Sequence, residues 1–249
     1  KQNYKTDMKQ PRLRDSHNLI SELYPINKVP VEIINKIGAD IVYMLYTGRT
    51  DMSGNDWGEI FAKAINGNHF GSPIGIADVA KNETAWSMKT VKVPNPFNVR
   101  SIRLISGRCS PDYSFGIEDP HEDIQKTGEA VLSIWNSRVD IAVSHYARVR
   151  ESILVRNYDM TEFTLFEEYL EHYNISDFNW VENDNSNLEG INKYSGIKQF
   201  VWQPHGSQFT IISAVPDDAV RFKIRKPNLL PQDEALKSIG FDSSWIEII

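Results

Sequence analysis

The chain has 249 residues, with 27 Lys+Arg against 33 Asp+Glu and a formal net charge of −6. With 41% hydrophobic and 11% aromatic residues it has the composition of a folded protein with room for a buried core, which excludes a disordered chain. A lone Cys109 excludes an intramolecular disulfide framework and a cysteine zinc cluster, no apolar run of about 18 residues offers a membrane helix, and the acidic total excludes a uniformly basic nucleic-acid coat.

The N-terminal arm is basic, with Lys1, Lys5, Lys9, Arg12 and Arg14 against Asp7. Helical spacing predicts helices over 16–23 and 31–46; in the second, Ile33, Ile34, Ile37, Ile41, Met44 and Leu45 recur on one face. Ser53-Gly54-Asn55 supplies N-cap chemistry for a helix over 56–65, which Asn66-Gly67-Asn68 stops. Two short apolar segments, 74–79 and 85–93, flank Lys81-Asn82-Glu83 and predict a β-hairpin; Pro94 and Pro96 break its second strand. The chain from there to about residue 120 reads as irregular. A helix is predicted over 122–144, with Val131, Leu132, Trp135 and Val139 inward. Strands are predicted over 153–156 and 163–166. A final antiparallel run over 198–202, 208–214 and 219–224 turns at Pro204-His205-Gly206 and Pro216-Asp217-Asp218. Helices and strands alternate early and hairpins dominate late. The expected fold class is mixed α/β (α+β), a mixed β-sheet flanked by helices with a β-rich C-terminal elaboration. One domain is expected: arm and helices over 1–50, a core over 51–160 and an elaborated half over 161–249.

Charge is unevenly distributed. Residues 84–111 contain no acid but carry Lys89, Lys92, Arg100, Arg103 and Arg108. Residues 157–192 contain no Lys or Arg but hold nine acids. The stretch with Arg221, Lys223, Arg225 and Lys226 is basic again. One electropositive face beside an acidic flank produces this pattern, and so does chance clustering on solvated surfaces.

With the hairpin turn at 81–84, Asp78 falls opposite Ser87. Side chains alternate along a strand and directly opposed residues share a face. Asp78, Ser87 and Lys89 therefore share one face, while Ala77, Val79, Trp86 and Met88 take the other. A carboxylate and an ammonium side by side on apolar strands need each other or a ligand. The plain alternative is an ion pair across a surface hairpin.

In Asp78, eight intervening residues, and then Ser87-Met88-Lys89, this hairpin resembles the PD-(D/E)xK nucleases, and among them the type II restriction endonucleases. The usual Pro before the Asp is Ala77, and Ser87 stands where most members carry a carboxylate. The resemblance implies a restriction-endonuclease-like core and Mg²⁺-dependent hydrolysis of double-stranded DNA at a specific sequence. It also implies a homodimer on a short palindrome and a place in the cytoplasm of a bacterium or archaeon, to which the absence of a signal-peptide pattern after Lys1 conforms. Asp78 would ligate Mg²⁺ and Lys89 would position the nucleophilic water. The missing carboxylate is expected from a neighbouring helix. Glu59 is the first choice, although it lies away from the Trp57/Ile60/Phe61 face; Glu129 is the second, and Glu83 in the turn is too distant.

In this reading residues 94–111 form a DNA-contacting loop. Lys92, Arg100, Arg103 and Arg108 suit phosphates or guanine edges, and the late hairpin with Gln203, His205, Gln208, Lys223 and Arg225 is a second DNA surface. The helix over 122–144 or the aromatic, acidic stretch 163–180 would supply the dimer interface. The six histidines show no metal-ligand spacing, and no Walker loop, GxGxxG or GxSxG motif is present, so no nucleotide cofactor is expected. Three other readings stay open: a structure-specific repair or junction nuclease, a non-catalytic DNA-binding module, and a protein-interaction domain whose acidic stretch docks a basic partner.

Overall fold

A computed structural model describes residues 22–71 and 75–249. The basic N-terminal arm, Ile74 and all but the last two residues of the helix expected over 16–23 lie outside them. Among the described residues the fold is mixed α/β, with five α-helices, a six-stranded mixed sheet and a five-stranded antiparallel sheet.

Helices α1 (Val31–Tyr46) and α2 (Gly54–Ile65) cover one face of the first sheet. The start of α2 is fixed by a capping box, in which the Ser53 side chain accepts from the Asp56 amide while the Asp56 carboxylate accepts from the Ser53 amide. Such a cap contributes about 0.5–2 kcal/mol. Asn66, in the left-handed region at φ 56°, ends the helix. Trp57 and Phe61 of α2 meet Trp86 in the core of this layer, and all three are almost fully buried.

The first sheet runs in the order β1 (Asn68–His69), β2 (Val79–Lys81), β3 (Thr84–Lys92), β5 (Arg148–Arg156), β6 (Glu162–Tyr169), β11 (Val220–Lys223). β3 pairs in parallel with β5 and the other pairings are antiparallel. The second sheet runs β4 (Ser101–Arg108), β10 (Gln208–Ala214), β9 (Lys198–Gln203), β8 (Leu188–Asn192), β7 (Phe178–Glu182). Ile102 and Leu104 of β4 pack on Ile153, Val155 and Phe166, so β4 lies against the first sheet. Helix α4 (Ile124–His145) covers the rest of the second sheet through Val131, Leu132 and Trp135. It crosses β7 closely at Gly128, where a Cβ would fall 2.1 Å from the Trp180 ring. Two short helices, α3 (Pro111–Phe115) and α5 (Gln232–Ser238), complete the described chain. No helix among the described residues is long and apolar enough to cross a membrane.

Three expectations are corrected. Residues 101–108 are not an irregular loop: they form β4, whose burial alternates strictly along Ile102, Leu104 and Ser106. The late strands are not one antiparallel run, because β11 leaves β9 and β10 and pairs with β6 in the other sheet. The stretch 163–180 is not a free interface, since Phe163, Phe166, Phe178 and Trp180 are buried within the chain. Of the two expected dimer surfaces, the outer side of α4 remains, with Val143 about half exposed.

Candidate functional site

The hairpin β2–β3 turns through Asn82 and Glu83, with Asn82 at φ 53° as such two-residue turns require. Val79 opposes Trp86, and the Asp78 amide also donates to the Trp86 carbonyl at 2.9 Å. The paired register therefore ends at Val79, where β2 starts, later than the strand expected over 74–79. Asp78 sits at its irregular end, on the same cleft as Ser87 and Lys89 but not paired with Ser87 in the ladder. The Asp78 carboxylate is held in place by the Met88 amide at 2.7 Å. Burial raises the Asp78 pKa, while that amide, Lys89 and His69 oppose the rise.

Asp78, Ser87 and Lys89 line one wall of a cleft of about 820 Å³. The opposite wall is Ser106, Gly107 and Arg108 of β4, and Trp135, Arg138 and Ile141 of α4 form its floor. Lys89 also lines two adjoining hollows, one of about 330 Å³ with Asp78 and His69, the other of about 400 Å³ with Lys92 and Arg103. Apart from Asp78, the residues named on the two walls come from the acid-free segment 84–111.

Glu151 is a site residue that no local pattern in the chain marks. It stands on β5 directly beside Ser87 in the parallel register and is almost fully buried. Its Oε1 lies 4.0 Å from Lys89 Nζ and has no hydrogen-bond partner. An orphaned buried carboxylate oxygen is costly without a cation or proton to compensate it. Burial raises the Glu151 pKa, with Lys89 pulling against it. On its other side Glu151 opposes Glu168 of β6, whose carboxylate accepts from Ser213 of the second sheet at 2.6 Å.

Burial first, and then the neighbouring Glu151, raises the Glu168 pKa from 4.5 to about 7. Glu168 therefore binds more protons folded than unfolded between these values. Its contribution to stability is present at low pH and is lost as pH rises through about 7. In metal-free protein, Glu168→Gln is expected to flatten the decline of the thermal midpoint between pH 4.5 and 8. Melting curves in chelator measure it; an unchanged slope contradicts the assignment.

The next residue, Glu167, faces the opposite side of the sheet. It pairs with Arg150 at 2.8 Å and accepts from Trp86 Nε1 and the Tyr24 hydroxyl. That network locks Trp86 behind the hairpin and belongs to the scaffold.

Other expected site residues fall in different places. Glu59 does not join Asp78: it accepts from Asn55 and lines a separate hollow between α1 and α2 with Asp40 and Lys63. Glu129 accepts from Gln125 in the first half of α4, away from the cleft floor. Lys92 is committed to Asp51 at 2.8 Å, and with Arg156 it holds the Asp51 pKa down at about 2. Arg100 lies just outside β4, at the end away from Arg108. Arg108, Gln208 and Gln203 are brought side by side across β4, β10 and β9, with His205 in the turn beyond. Arg225 and Lys223 lie at the opposite edge of the first sheet from the hairpin, where Lys223 pairs with Glu162. His69 was set aside with the other histidines, yet it stands near Asp78. Gly58 makes room for its ring, since a Cβ there would fall 2.7 Å from Nε2.

Among the described residues no group of three or more His, Cys, Asp or Glu side chains is arranged to hold a metal ion. The smaller donor set of Asp78 and Glu151 is all oxygen and includes an unpartnered buried atom. This suits Mg²⁺, which keeps several waters and takes only one or two carboxylates. Compared with known proteins, the chain matches no protein-family model, no curated protein and no solved structure.

Proposed function

We propose that the chain is a Mg²⁺-dependent endonuclease that cuts double-stranded DNA at a specific sequence, as type II restriction enzymes do. The observation that carries this reading is Asp78 and Lys89 together on the wall of the cleft, with the orphaned Glu151 oxygen buried behind them 4.0 Å from Lys89 Nζ. Asp78 and Glu151 would hold the cation. Mg²⁺ bound there supplies Lewis-acid stabilisation of the phosphate and a more acidic water. Lys89 orients the attacking water and offsets the negative charge that grows on the phosphate oxygens. Ser87, buried beside them, fills the position between Asp78 and Glu151 without adding charge. Arg103 and Arg138 on the cleft and its adjoining hollow attract the phosphate backbone. The exposed acids of residues 157–192, among them Asp159, Glu171, Glu182 and Asp184, lie outside the two wall segments and repel DNA from the outer surface.

A homodimer would present two such clefts to the two strands of a palindrome, and we assign its interface to the side of α4 turned away from the cleft, where Val143 is about half exposed. Supercoiled plasmid incubated with the protein and Mg²⁺ should yield discrete linear fragments, and chelator should stop the reaction. A smear would favour a nuclease without sequence preference. Binding without cutting would favour a DNA-binding module in which Asp78, Lys89 and Glu151 are structural ion pairs.

A further inference from the structure

We infer that the tip of the β9–β10 hairpin and the adjoining Arg108 form the element that reads base edges in the DNA major groove, an inference that rests on the nuclease reading above. Gln208 is the direct register partner of both Arg108 and Gln203. Directly opposed residues share a face, and neighbouring strands lie about 4.8 Å apart. The three side chains therefore form a row roughly 10 Å long across the end of the second sheet. Among the described residues none of the three is committed to a hydrogen bond or an ion pair, in contrast to Lys92 and Lys223.

The row is held rigidly. The Cys109 amide donates to the Ser207 carbonyl at 2.8 Å, and Trp202 Nε1 donates to the Cys109 carbonyl at 2.8 Å. These two bonds fasten the hairpin tip to the end of β4. The Arg138 guanidinium donates to the Arg108 carbonyl and ties the same corner to the cleft floor. Arg108 itself lines the cleft that holds Asp78 and Lys89, so the row begins where the hydrolytic wall faces it.

The chemistry selects nucleic-acid bases. Residues 198–214 contain no acid, so nothing in the hairpin repels phosphate. A two-stranded β-ribbon fits the major groove. Glutamine pairs in bidentate fashion with adenine N6 and N7, and arginine with guanine O6 and N7. Phosphate contacts position the protein and base contacts specify it. Arg103, in the hollow next to Lys89, takes the first role, and the Arg108–Gln208–Gln203 row takes the second.

The test is cleavage of a randomised DNA library by the full chain with Mg²⁺, followed by sequencing of the cut ends. The wild-type protein should select a site containing both G·C and A·T pairs. Arg108→Ala should lower discrimination at a G·C position by about 5- to 150-fold, and Gln208→Ala or Gln203→Ala should do so at an A·T position. Arg108→Lys keeps the charge but loses the fork, and it should relax the same G·C position while DNA is still bound. Arg103→Ala should weaken cutting evenly at all sequences. If the wild type cuts a defined site and the row variants keep that preference unchanged, the inference is overturned and the nuclease reading stands. If the wild type cuts without any preference, the inference also fails. If it does not cut, the nuclease reading has failed first.

Discussion

Replacing Lys89 by alanine is expected to lower DNA cleavage by at least about 10²–10³-fold while DNA binding survives. Lys89 lies 4.0 Å from the buried Glu151 and close enough to Asp78 to lower its pKa. It is the cation that the Asp78 and Glu151 carboxyls share. Without it the attacking water has no positive group to orient it, and charge growing on the phosphate has one fewer partner. Arginine would restore charge but not the compact ammonium, so Lys89→Arg should recover little. DNA attraction draws on Arg103, Arg108 and Arg138 and should fall only slightly. Single-turnover cleavage and a gel shift in parallel separate the two effects. A Lys89→Ala protein that cuts at the wild-type rate would remove Lys89 from the site.

The second large effect concerns stability. Glu167→Ala should cost about 3–5 kcal/mol, because it leaves the buried Arg150 with only the partly exposed Glu22 at 3.4 Å to balance its charge. The same change strands Trp86 Nε1 and the Tyr24 hydroxyl, which both donate to Glu167. Burial raises the Glu167 pKa and Arg150 opposes the rise, so the pair persists only because its hydrogen bonds are nearly complete. Lys198→Ala, which removes an exposed partner of Glu189, should cost no more than about 1 kcal/mol. Denaturant unfolding of the two variants measures the contrast. Equal midpoints would show that the buried network contributes little.

The hairpin at the centre of the site was legible because its information is local. A two-residue turn and strand alternation put Asp78, Ser87 and Lys89 on one face, and all three do line one cleft, although the ladder itself ends at Val79 opposite Trp86. Helices α1 and α2 were legible for the same reason, through apolar period and cap chemistry. Glu151 was not, because it reaches the site through a parallel pairing across a long crossover that includes α4. Nothing near Glu151 in the chain signals which strand it will meet. Local sequence points instead to the preceding helix and Glu59, which faces the groove between α1 and α2. β4 was missed for a different reason. Its alternation was present, but only Ile102 and Leu104 mark the inner face, and the prolines and arginines around them read as loop. β7 and β8 were missed because Asn179 and Glu189 on their outer positions, with Glu182 at the end of the inner row, mask the inward Phe178, Trp180 and Leu188. The turn at Pro216-Asp217-Asp218 was correct as a turn but joins strands of different sheets, which a local pattern does not reveal.

The central claim is that Glu151, not Glu59, completes the site with Asp78 and Lys89. Cleavage of supercoiled plasmid in Mg²⁺ by Glu151→Gln and Glu59→Gln proteins tests it most directly. The Glu151→Gln protein should lose cleavage while still binding DNA, and the Glu59→Gln protein should cut as the wild type does. Normal cutting by the Glu151→Gln protein, with loss in the Glu59→Gln protein, would contradict the account.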